Sequence, residues 1–174
     1  MKSQAETAGR LSSSLSAHPQ KGTVLRDLEL PLPDGAHRLL SAIRGRANLV
    51  MIFTAGQDLQ PLLNDLISLS RTLKEYSARV LVISLVEQDA APYSSSDSLV
   101  LSSDPNGAIH RVLGATDAAQ NPIPTVYITD RFGEVFAVFR SPDIASLPDA
   151  REIIRWLEFI TYQCEECSPP EWQE

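Results

Sequence analysis

The run Asn48–Thr54, Asn-Leu-Val-Met-Ile-Phe-Thr, holds five consecutive apolar residues with no alternation. A strand with one wet face alternates polar and apolar side chains, so an unbroken run reads as a central strand covered on both sides. Residues 80–86 form a second such run. Between them, residues 58–76 place Leu59, Leu62, Leu63, Leu66, Ile67, Leu73 and Tyr76 at helical spacing. Two buried strands joined through a helix predict a parallel pair with helices packed over a sheet.

Asp58 has the chemistry of an N-cap for that helix, and Pro61 falls in its first turn, where a missing N–H is harmless. Upstream, residues 23–32 alternate roughly and close at a turn marked by Pro31, Pro33, Asp34 and Gly35. Residues 39–46, ending Arg44-Gly45-Arg46, read as a connector. Downstream, residues 99–101 read as a short strand. Asp104-Pro105 opens a compact helix ended by Gly114, with Ala108, Ile109, Val112 and Leu113 expected inward and His110 expected on the solvated side. Residues 125–128 and 135–139 form a hairpin turning at Asp130-Arg131-Phe132-Gly133. Ser146 and Asp149 match a capping box for a last helix with the stripe Ile153, Trp156, Leu157 and Ile160, which Pro169-Pro170 terminates.

The 174 residues suit one domain, organised as a mobile arm over 1–21, the folded domain over 22–163 and a tail over 164–174. With 22 acids against 15 bases the chain carries a formal charge of −7, which disfavours nucleic-acid and anionic membrane partners. No stretch is apolar for long enough to cross a bilayer. Serines fill the first twenty or so residues where a secretory leader needs leucines, so the expected location is cytoplasmic.

Three segments resemble thioredoxin-fold redoxins of the alkyl hydroperoxide reductase / thiol-specific antioxidant (peroxiredoxin-like) family. Residues 48–63 look like the strand and helix that hold that family's active site. Leu101-Ser102-Ser103-Asp104-Pro105-Asn106-Gly107 looks like the entry to its middle helix. Ile123-Pro124-Thr125, then Tyr127-Ile128-Thr129-Asp130 and Gly133, looks like its cis-proline strand and hairpin. The resemblance implies an α/β thioredoxin-like sandwich, a mixed central sheet flanked by helices on both faces, and a cis peptide before Pro124. It also implies antioxidant or thiol-disulfide oxidoreductase activity, with a thiol reductant or protein as partner.

The family's chemistry needs a thiolate where helix N–H groups and dipole lower a cysteine's pKa. Aligned on the peroxiredoxin threonine, Thr54, the cysteine position holds Gln57. Aligned on a thioredoxin Cys-x-x-Cys, Asp58 and Pro61 replace both sulfurs, and Ile123 stands where peroxiredoxins present an arginine.

The only cysteines are Cys164 and Cys167, in Cys-Glu-Glu-Cys near the C-terminus. Continuing the last helix, both fall on its apolar stripe, where they serve as small hydrophobes. Two functional readings compete. As the candidate catalytic pair they form a dithiol/disulfide switch, slowed by Glu165 and Glu166 between them. As a metal half-site they bind zinc, completed across a homodimer. No other cofactor is expected. The remaining alternative is a non-catalytic binding module that uses the helix-start groove and the Pro124 loop.

Overall fold

The computed structural model describes residues 18–86 and 98–163. Five strands form the main sheet in the order β5-β4-β3-β6-β7: β3 is Asn48–Thr54, β4 Ala78–Ser84, β5 Leu99–Ser103, β6 Thr125–Thr129 and β7 Val135–Arg140. β3 pairs in parallel with β4 and antiparallel with β6, and β6–β7 is an edge hairpin. The sheet is therefore mixed. A separate ribbon pairs β1 (Glu29–Pro31) with β2 (His37–Leu39), just before the short helix α1, Leu40–Arg44.

All seven residues of β3 are buried, because the strand is central and covered twice. Val50 and Ile52 face one layer with Leu63 and Leu66 of α2 (Gln60–Ser68), Leu73 of α3 (Ser70–Glu75) and Ile153, Leu157 and Ile160 of α5 (Ala150–Thr161). Leu49, Met51 and Phe53 face the other layer, with Leu30, Leu40 and Ile43 beneath α1 and with Ile109 and Leu113 at α4 (Ala108–Val112). Each fully buried aliphatic side chain contributes about 1.5–3 kcal/mol of hydrophobic stabilisation.

Several local expectations change. The long helix expected from Asp58 to Tyr76 begins at Gln60 and breaks at Leu69, whose φ −93° and ψ 16° leave the helical region. The Ser68 hydroxyl donates to the Asp65 carbonyl at 2.6 Å, competing for the acceptor of the next turn. Asp149, expected at the third helical position, is itself the N-cap of α5 and accepts from the Glu152 N–H at 2.7 Å. Ser146 instead closes a short 3-10 turn capped by Asp143.

α4 also presents a different face. Ala108 is exposed, Val112 is 56% exposed and His110 is fully buried. No helix among the described residues is long and apolar enough to cross a membrane.

Candidate functional site

The chain leaves β3 at Thr54, turns through Gly56 at φ +97°, and enters α2 at Gln60. The side chains of this turn are engaged locally. The Gln57 Oε1 accepts the Ala55 N–H at 2.9 Å, and the Thr54 hydroxyl donates to the Gln57 carbonyl at 3.4 Å. Asp58 is exposed and its Oδ1 accepts the Gln60 N–H at 2.9 Å. It therefore satisfies a helix-start donor, although Leu59 occupies the cap position itself. Pro61 sits in the first turn of α2, as expected.

Register brings Pro124 to the same pole. Thr125 pairs with Phe53, so the buried Pro124 lies one residue beyond, level with Thr54. No cis peptide occurs among the described residues, so the expected cis bond before Pro124 is trans. The Ile123 N–H donates to the Ala115 carbonyl at 3.0 Å, and the Thr125 hydroxyl donates to the Ile123 carbonyl at 3.1 Å. Those bonds bring the segment into β6 with the ordinarily preferred isomer.

The sequence placed His110 in solvent; the fold places it under this pole. Its Nδ1 lies 2.6 Å from Asp104 Oδ2, and its Nε2 lies 3.2 Å from the Thr54 carbonyl oxygen. The same Asp104 oxygen accepts the His110 backbone N–H at 2.9 Å, while the Asp104 N–H donates to the Ser84 carbonyl at 2.7 Å. One residue thus ties the start of α4, through its carboxylate, to the His110 ring and β3, and through its backbone N–H to the end of β4.

Burial pushes the Asp104 carboxyl upward, but hydrogen bonds from the His110 ring and from the backbone outweigh it and hold the group below its ordinary 3.8. The Phe53 ring meets His110 edge-on, with centroids 5.1 Å apart, and Tyr127 at 5.7 Å. The Tyr127 hydroxyl donates to the Leu113 carbonyl at 2.9 Å, and burial raises its pKa to about 12. An aspartate six residues before a histidine, across an Asp-Pro helix entry, was the available signal for this pair.

Among the described residues this pole holds no sulfur nucleophile, and its imidazole is fully buried with both nitrogens against oxygen atoms. The ring is a structural link between α4 and β3. Among the described residues no group of three or more His, Cys, Asp and Glu stands together as a metal site.

Cys164 and Cys167 lie outside the described residues. The described chain ends at Gln163, and α5 reaches the opposite pole: Asn48 Nδ2 donates to the Thr161 hydroxyl oxygen at 3.5 Å and to the Tyr76 carbonyl at 3.0 Å. β3 spans the distance between the poles, about 20 Å at roughly 3.3 Å per residue.

No protein-family model and no curated protein matches the sequence. Solved structures do match the fold. Peroxidoxin BcpB from Mycobacterium tuberculosis superposes with a TM-score of 0.66 at 20% identity, over 82% of this chain and 99% of that one. AhpC from Mycobacterium bovis gives 0.64 at 14% identity, over 91% and 100%. The exposed lipoprotein thioredoxin Etrx1 from Streptococcus pneumoniae gives 0.54 at 19% identity, over 77% and 99%. The chain therefore has a thioredoxin-like fold, the architecture that its own strand order and packing describe.

Proposed function

We propose that this protein is a redoxin-type antioxidant or thiol-disulfide oxidoreductase whose thiol chemistry resides in Cys164 and Cys167. The observation that supports this reading is the β3–α2 turn, where Gln57 and Asp58 fill the thiol position and turn their side chains onto the local backbone. In a thioredoxin-like fold without a thiol there, the only sulfur nucleophiles left are those two cysteines. In the exchange step one thiolate attacks a substrate disulfide and expels a thiolate. The second cysteine then resolves the mixed disulfide, so the pair is oxidised by two electrons as the substrate is reduced. An external dithiol restores it.

The test is reduction of hydrogen peroxide and of insulin disulfides, with dithiothreitol as reductant, by the wild type and by Cys164→Ser with Cys167→Ser. Turnover above the reductant alone that disappears in the double variant supports the reading; turnover that survives it overturns the reading.

A second reading, a non-catalytic binding module with Cys164 and Cys167 as a zinc half-site, draws support from the two-pole geometry. The described chain ends at Gln163, at the pole opposite the turn that holds Gln57 and Asp58, and Cys164 follows in sequence. Inactive wild type that holds half a zinc per chain favours that reading.

A further inference from the structure

In a chain with a net charge of −7, three arginines border one cleft at the pole opposite Thr54. Arg44 ends α1, Gly45 turns the backbone at φ +59°, and Arg46 follows before β3 begins. The β6–β7 turn supplies Arg131 and Phe132 from the other side. Together these five residues line a cleft of about 500 Å³, within the range of small-molecule sites.

The arrangement depends on Gly133. Its φ is +89°, and a Cβ there would overlap Arg44 Nη1, so the bare backbone seats the guanidinium. Arg44 Nε is buried without a hydrogen-bond partner. The side chains of Arg44 and Arg46 make no ion pair or hydrogen bond with another described residue.

The nearby carboxylates are engaged elsewhere. Asp27 accepts the Ser41 N–H and hydroxyl at 2.9 and 2.7 Å, although its charge also feels Arg44. Asp130 Oδ1 accepts the Phe132 and Glu134 N–H groups at 2.8 and 2.9 Å. Phe132 is 46% exposed, with the Arg131 guanidinium 5.0 Å from its ring centroid.

Guanidinium forks match phosphate oxygens in bidentate fashion, and a diphosphate supplies the multiple negative charge that several arginines favour. The cleft is larger than a bare oxyanion needs, and an exposed aromatic ring borders it. From this we infer that the cleft binds a phosphate-bearing small molecule with a flat ring, its phosphates between Arg44 and Arg46 and its ring against Phe132. The site lies at the pole opposite Thr54, Gln57 and Asp58.

The experiment is isothermal titration of the full chain with inorganic phosphate, pyrophosphate and adenosine diphosphate, in about 0.15 M salt to screen non-specific attraction. Pyrophosphate and the diphosphate should bind saturably, and both should weaken about tenfold or more in Arg44→Gln with Arg46→Gln. The nucleotide should bind severalfold more tightly than pyrophosphate, an advantage that Phe132→Ala removes. Arg46→Gln alone, at an exposed position, weakens both ligands about threefold or more and gives a folded variant should the double substitution not fold. Absence of saturable binding by all three probes overturns the inference, as does binding unchanged in the arginine variants. Equal affinity for pyrophosphate and the nucleotide overturns the ring contact.

Discussion

The two poles of the central sheet both hold polar groups at the ends of buried strands, and they differ in what lies beside those groups. At the Thr54 pole the side chains bond one another and the backbone: Gln57 to Ala55, Asp58 to Gln60, and Asp104 to His110, whose ring reaches Thr54. At the Arg44 pole a guanidinium nitrogen is buried without an acceptor beside an open cleft. Groups satisfied internally hold structure and have little left to offer a ligand, whereas an unsatisfied donor gains from one. Ser102 Oγ, Thr116 Oγ1 and Arg140 Nε, near the Thr54 pole, are also buried without partners, so what sets the Arg44 pole apart is the cleft open beside its donor.

The largest effect that could break this contrast is at His110. Replacing it by leucine leaves the Asp104 carboxylate buried without its ring partner, at a cost of about 3 kcal/mol by urea unfolding. A loss below about 1 kcal/mol would mean that the pair does not hold the Thr54 pole together. Gly133→Ala comes next. It forces a side chain into left-handed backbone and displaces Arg44, costing about 2 kcal/mol and weakening pyrophosphate binding at the other pole. If stability falls but binding is unchanged, Arg44 is not the seat of the anion.

Tyr127→Phe leaves the Leu113 carbonyl without its 2.9 Å hydroxyl partner and should cost about 1 kcal/mol. Asp149→Ala, which removes the α5 cap far from either pole, should cost a similar amount.

The smallest effect is on pH dependence. Asp104 has a depressed pKa in the folded chain, so its contribution is fully present above its ordinary 3.8 and is lost as pH falls through the lower folded value. Asp27 and Asp117, also depressed by hydrogen bonds, add to the same acid-side fall. Thermal midpoints between neutral pH and about pH 3 should therefore decline, and the decline should be shallower in His110→Leu, where only the Asp104 share is reduced. An equal slope in both proteins would separate that share from the histidine.

Much of the frame was legible in the chain. Asn48–Thr54 is buried on both sides because its residues are apolar at every step, and the Asp130–Gly133 turn joins the expected hairpin. The strand at 80–86 appears two residues earlier, at Ala78–Ser84, since apolar runs locate a strand more firmly than they locate its ends. The candidate site was legible only as an expected absence, the thiol that the resemblance would put at Gln57 or Asp58.

What filled that absence required distant segments to meet. Local pattern assigned His110 to water because one polar residue on a short helix ordinarily faces out. Asp104 and the Thr54 carbonyl reversed this, giving acceptors to both ring nitrogens in a place that sequence spacing cannot specify. The peptide before Pro124 is trans, where the resemblance implied cis.

The sequence by itself determined which strands are buried, where the hairpin turns, and that no cysteine begins the first long helix, because periodicity and residue identity are local properties. Tertiary structure decided that His110 is buried, that three arginines share a cleft, and that α5 ends at the pole opposite Thr54. Each of these depends on strand register and helix direction, which bring together residues far apart in the chain.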